Sequence, residues 1–272
     1  MKKFLFWFLA VIITLGSLVY QRRTGPTSPL RGKATIGDAV IHYRLPRSAE
    51  NTSDCEVRIQ VPVADITGYL EYKRFKTGDA WTKIPLERKE SRLAAHLPSQ
   101  PAAGKLAYRV ILTKGREEAA LPDRSSAIIR FRKPVPAPIL ILHVVVMFLA
   151  LLFSTRAGLA ALDRGSHPRK LALAAVLLLF IGGFLLGPLV QKFAFGPLWT
   201  GFPLSTDLTD NKTLIAMIGW IAAIVAGRKG KPARGWILGA AILLLLVYSI
   251  PHSLLGSELD YSKLNAPAVD RL

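Results

Sequence analysis

The chain has 272 residues, 51% of them hydrophobic, and a mean hydropathy of +0.32, an apolar content above ordinary soluble usage. Its single cysteine, Cys55, excludes an internal disulfide. Its net charge of +18 comes without a recognition helix, a zinc-ligand spacing or an aromatic RNA-binding signature, which excludes nucleic acid as a partner and leaves the lipid bilayer and its anionic headgroups.

In chain order, the first apolar run covers 4–20, directly after Met1-Lys2-Lys3. No small-x-small cleavage site closes it, and the chain continues Leu18-Val19-Tyr20-Gln21-Arg22-Arg23. Residues 1–23 are therefore expected to remain as an uncleaved N-terminal transmembrane signal-anchor.

Residues 21–138 have ordinary soluble composition, with 22 Lys and Arg against 12 Asp and Glu. Short stretches of apolar and polar alternation fall at 39–45, 56–61, 69–75, 81–86, 93–97, 106–112 and 127–132, bounded by Gly, Pro, Asp and Ser. They predict an all-β sandwich over 24–133. Lys76-Thr77-Gly78-Asp79 reads as the hairpin turn between the third and fourth runs. Trp81, Tyr69, Tyr72 and Phe75 read as core members at alternate positions, with an aromatic binding face for a glycan or peptide as the alternative. Cys55 reads as an idle thiol, with a reactive or intermolecular one as the alternative.

Leu97-Pro98-Ser99-Gln100-Pro101-Ala102-Ala103-Gly104-Lys105-Leu106-Ala107-Tyr108 resembles the entry to a late strand in fibronectin type III and immunoglobulin-like domains. That resemblance implies a tyrosine corner tied by Tyr108, and a module that recognises partners or spaces other domains.

Pro134-Val135-Pro136-Ala137-Pro138 is a stiff extended connector over 134–138. Four further apolar runs, 139–155, 171–190, 214–227 and 236–255, predict an α-helical bundle of four transmembrane helices over 139–256. The third of these is short, so its helix is expected to begin near Thr209 with Asp210 in its first turn. The last is expected to run through Pro251 to about residue 255, with His252 at the interface. Segments 156–170 and 228–235 hold eight Lys and Arg between them, and segments 191–212 and 251–272 hold four. The positive-inside rule then places the N-terminus in the cytoplasm, and 24–138 and the C-terminus on the outer, periplasmic side of a multi-pass inner-membrane protein. Residues 257–272 form an outer-face tail. Gly182, Gly183, Gly219 and Gly239 are expected to permit close helix packing.

Segment 191–212 is about twenty residues long, where a helix connection needs only a few. It mixes aromatic residues, turn formers and charges. With the topology above, His143, Trp199, Asp207, Asp210, Asn211, Lys212, His252, Glu258 and Asp260 share the outer face as a candidate site. Such a set suits a divalent metal, haem ligated by the histidines, or a proton relay, with His143, His252 and Asp207 as metal candidates. Each residue also has a local role open to it: Asp207 and Asp210 as helix caps, Trp199 in the interfacial belt, Lys212 snorkelling, and the histidines as helix-end polar groups.

Gly196-Pro197-Leu198-Trp199, followed after a proline by Asp207, resembles the tryptophan-rich outer loop of haem-handling cytochrome c assembly proteins, although it has one tryptophan where that family has several. This implies haem as a cofactor. The chain as a whole resembles a family of bacterial inner-membrane proteins.

No P-loop, G-x-S-x-G, H-E-x-x-H, C-x-x-C or C-x-x-C-H occurs, so an enzyme is not the leading expectation. The span centres lack charges, against an ion-coupled transporter. The leading expectation is a binding or scaffold component whose partners are the bilayer and other membrane or exported proteins. The alternative is a haem-, metal- or quinone-handling protein using the outer-face cluster.

Overall fold

The computed structural model describes residues 2–123, 125–228, 233–251 and 258–264. It divides into two units, a helical one of Met1–Pro26 with Val135–Ser257 and a β unit of Thr27–Pro134 with Glu258–Leu272.

In the β unit the alternating runs become strands. The largest sheet orders β3 (Ser48–Glu50), β11 (Ala127–Arg132), β9 (Lys105–Lys114), β5 (Thr67–Arg74) and β6 (Thr82–Pro85), with β10 (Glu117–Leu121) also paired to β9. A second orders β4 (Cys55–Gln60), β8 (Arg92–Leu97) and β7 (Glu87–Lys89), and β1 (Leu30–Ile36) pairs with β2 (Ala39–Leu45). All pairings are antiparallel except β3 with β11. One core draws on all three sheets, with Ile41, Val57, Leu70, Leu93, Leu112 and Phe131 among its buried members. Each of the seven predicted runs is a strand. Strands β1, β3, β7 and β10 lie outside the predicted runs and form by pairing with β2, β11, β8 and β9; β1 does alternate, but Gly32 and Ala34 are too small to mark its inner face.

The predicted hairpin turn joins β5 to β6, with Lys76 at φ 58°. Arg74 Nε donates to Asp79 Oδ2 at 2.6 Å across it, and that bond holds the Asp79 carboxyl down at about 2. Burial, with the charge of Glu56 beside it, pushes the Cys55 thiol up, which disfavours the reactive thiolate.

Tyr108 is fully buried and does tie a connection. Its hydroxyl donates to the carbonyl of Pro46 at 2.7 Å, in the link between β2 and β3, 62 residues upstream. A tyrosine corner bonds only a few residues upstream. Tyr108→Phe leaves that carbonyl without its hydroxyl donor and is expected to lower the β unit's unfolding free energy by about 1–3 kcal/mol, read as a lower urea midpoint at unchanged slope.

The helical unit contains α1 (Lys2–Thr24), α2 (Ala137–Leu162), α3 (Arg169–Phe180), a π-helical turn (Ile181–Leu186), α4 (Gly187–Phe195), α5 (Leu208–Ala226) and α6 (Arg234–Ser249). Among the described residues four runs are long and apolar enough to cross a bilayer: α1, α2, the continuous Arg169–Phe195, and α5. The chain is therefore a membrane protein. Helix α6 is apolar but has 16 residues, about 24 Å at 1.5 Å each. It stops at Ser249 rather than running through Pro251, because the residue before a proline is driven out of helical geometry, and Ile250 is extended.

Side chains tie the helix ends. At one end Lys2 meets Asp163, Arg169 donates to Gly227 O, and Arg234 caps the end of α2. At the other end Gln21 donates to Tyr248 O and Lys212 to Ile250 O. Helix α2 extends past Thr155, so Arg156 lies within it rather than in a loop. Its side chain is 5% exposed, and its guanidinium lies 5.4 Å from the rings of Phe6 and Trp7 on α1. Cation–π attraction there joins α1 to α2.

The π turn has a local cause. Pro188 cannot donate to Phe184 O and its ring would strike that carbonyl, so the helix widens by one residue and Gly187 N reaches Gly182 O. Three of the four predicted packing glycines lie where a side chain would collide: a Cβ on Gly182 would sit 2.7 Å from Met147 Sδ, one on Gly183 2.6 Å from Thr213 Cγ2, and one on Gly219 2.6 Å from Leu243 Cδ2. Gly239 has open space around it.

Candidate functional site

The residues predicted to share an outer face are divided between the units. Asp207 is the N-cap of α5, accepting from Thr209 N at 2.7 Å, and Asp210 occupies the first turn. Asp210 Oδ2 accepts from Thr200 N at 2.6 Å and from Thr200 Oγ1 at 3.2 Å. With its amide oxygen toward Thr200 Oγ1, Gln191 places its NH2 3.1 and 3.3 Å from the two Asp210 carboxylate oxygens. Asn211 Oδ1 accepts from Phe202 N at 2.6 Å. Trp199 donates to Phe202 O at 3.1 Å and stacks on Phe184 at 5.6 Å. Gly201 is needed where this loop crosses α5, because a Cβ would lie 2.6 Å from Asp210 Cβ. The long loop is thus folded over the start of α5, with Asp207, Asp210 and Asn211 all accepting from backbone N–H groups nearby.

Lys212 is buried and its ammonium donates to Ile250 O at 2.8 Å, capping α6. His143 Nδ1 lies 3.0 Å from Gly182 O, and since a carbonyl only accepts, that nitrogen carries the proton. Gly182 O thus accepts both from His143 and from Gly187 N in the π turn. His252 lies outside the described residues. Among the described residues no three His, Cys, Asp or Glu side chains are grouped to hold a metal ion.

Glu258 and Asp260 belong to the β unit, whereas His143, Trp199, Asp207, Asp210, Asn211 and Lys212 belong to the helical unit. Glu258 pairs with Lys105 at 2.8 Å and Lys76 at 3.2 Å, and Asp260 Oδ1 accepts from Ser262 N and Oγ at the start of the short helix α7 (Tyr261–Leu264).

The aromatic residues of 69–81 follow the strand period. Leu70 and Tyr72 face the core, whereas Tyr69, Glu71 and Lys73 share the opposite face of β5. Register places Glu71 beside Arg109 of β9 and Lys83 of β6. On that face Lys83 Nζ lies 4.5 Å from the Tyr69 ring, while Lys73 Nζ and Arg109 Cζ lie 5.2 and 5.1 Å from the Trp81 ring. The carboxylate within the patch, Glu71, is buried and bonded to Arg109 Nε. The result is a sheet face with three cations arranged over two rings and a carboxylate already committed to one of them.

Alternate members of this aromatic set are expected in the core, and Tyr72 is the one that packs there, while Tyr69 and Trp81 lie with the cations of the opposite face. The alternation of β5 carried the signal for Tyr69, Glu71 and Lys73. The contribution of Arg109 rests on a register that sequence does not display. No protein-family model and no curated protein matches the chain.

Proposed function

We propose that this protein is a non-enzymatic binding or scaffold component of the inner membrane, whose exported β unit recognises an acidic surface on another membrane or exported protein. The face of β5, β6 and β9 carries the reading: Lys73, Lys83 and Arg109 surround Tyr69 and Trp81, and Glu71 neutralises only one of the three. Aromatic rings and cations ordered on a rigid sheet suit partner recognition, because their conformational entropy is lost in advance. The β unit is read as a sandwich of the fibronectin type III or immunoglobulin-like kind. The sidedness is supported by the ties between helix ends, since Arg169, Arg234 and Lys2 fall at one end and that end takes the cytoplasmic side by charge.

The test compares full-length protein with the triple variant Lys73→Ala, Lys83→Ala, Trp81→Ala, after cross-linking in native membranes. Recovery of a partner with the wild-type chain is expected to fall at least tenfold in the variant and to weaken as salt rises, whereas Lys89→Ala on the other sheet leaves it unchanged. A partner set identical for wild type and a folded triple variant would overturn the assignment.

A further inference from the structure

The segment Glu258–Leu264 lies against the β unit in the manner of a bound peptide. Its anchors are few and specific. Leu259 N donates to Ala103 O at 3.1 Å, a main-chain contact of the kind that holds an extended ligand. The Glu258 carboxylate is clasped between Lys105 and Lys76 at 2.8 and 3.2 Å. Tyr261 is 5% exposed, with its hydroxyl 3.0 Å from Gln100 Oε1 and 3.1 Å from Lys105 O, and its ring lies 5.3 Å from the Arg74 guanidinium.

The receptor side is shaped for that tyrosine. Gly104 lacks the Cβ that would sit 2.9 Å from the Tyr261 hydroxyl. The β5–β6 turn forms the other wall, and between residues 74–79 of that turn and residues 258–262 an open cleft remains. A carboxylate and a tyrosine three residues later, engaging two lysines and a closed aromatic slot, form a short recognition motif: Glu-x-x-Tyr.

We propose that the groove between the β5–β6 turn and the 100–105 loop is a peptide-recognition site for acidic Glu-x-x-Tyr segments of a partner protein, with the chain's own tail as its resident, competing occupant. Covalent attachment gives the tail an effective concentration on the order of millimolar, so a handful of anchors suffices to keep it seated while leaving it exchangeable. The groove uses Arg74, Lys76 and Lys105 rather than Lys73, Lys83 and Arg109, and its assignment does not depend on the function of that sheet face. The charged groups around Glu258 are Lys76 and Lys105; those around Tyr261 are Arg74, Asp79 and Glu258. Burial pushes the Glu258 carboxyl up, but the bonds and charges of Lys105 and Lys76 outweigh it and hold it below the ordinary range. The contact is therefore complete above the ordinary glutamate pKa and is lost only as pH falls through the lowered one.

A fluorescent peptide with the sequence of residues 258–264 tests the site, with binding read by anisotropy on protein in lipid nanodiscs. The chain truncated after Ser257 is expected to bind it saturably, and full-length protein at least tenfold more weakly. A peptide carrying Gln for the glutamate and Ala for the tyrosine should not bind, and Lys105→Glu in the truncated chain should abolish binding. A folded truncated protein that does not distinguish the peptide from its scrambled version overturns the proposal. If truncation unfolds the β unit, the full-length double variant Glu258→Gln, Tyr261→Ala decides instead: peptide binding supports the site, and its absence overturns it.

Discussion

Arg234→Ala is expected to lower the unfolding free energy of the helical unit by about 2–4 kcal/mol. The last turn of a helix leaves carbonyl groups without intrahelical partners, and the partial negative charge of the helix dipole gathers there. One guanidinium answers both at the end of α2. Its Nη1 donates to Asp163 O at 2.6 Å and lies 3.3 and 3.4 Å from Ala160 O and Ala161 O, and its Nη2 donates to Arg164 O at 2.8 Å and Ser166 O at 2.7 Å. Because Arg234 opens α6, these bonds join two helices through one side chain. Arg234→Lys should restore less than half of the loss, since a single ammonium cannot span five carbonyls that a planar fork reaches. Thermal unfolding in detergent micelles measures both variants, and an alanine variant within about 0.5 kcal/mol of wild type, the range of ordinary surface substitutions, would refute the role.

Asp210→Ala should cost about 2–3 kcal/mol and open the loop before α5. Asp210 is buried, and its carboxylate is the acceptor for Thr200 N and Thr200 Oγ1 and a neighbour of the Gln191 amide. Bonds to a charged acceptor in a poorly solvated place are stronger than neutral ones, so removal is felt more than that of an exposed aspartate. Asp210→Asn keeps one acceptor oxygen and is expected to lose roughly half as much. Limited proteolysis between residues 196 and 207 reports the opening directly: faster cleavage in Asp210→Ala at unchanged cleavage elsewhere is the expected pattern. Equal rates would mean that Asn211 and Trp199 hold the loop without it.

These two residues show where sequence reading stops. Arg234 stood in the sequence as one of several loop cations, and counting such cations is sound for topology because the count does not depend on their contacts. Its capping of α2 depends on a helix more than seventy residues earlier ending beside it. Asp210 is legible as a first-turn carboxylate of α5, but the loop it holds also reads as a candidate ligand site, because aromatic residues, turn formers and charges are concentrated there. The same groups that could bind a ligand satisfy the backbone of a long loop, and composition does not separate these roles.

By itself the sequence determined the two solvents of the chain, the apolar helices, the strands with clear alternation and the hairpin at 76–79, because each follows from a local period or turn chemistry. Tertiary structure alone decided that Tyr69 and Trp81 meet Lys73, Lys83 and Arg109, that Tyr108 reaches Pro46, and that Glu258 lies between Lys76 and Lys105. Those contacts depend on strand register and on the return of a distant segment, quantities set by how buried surfaces pack together and carried by no short stretch of residues.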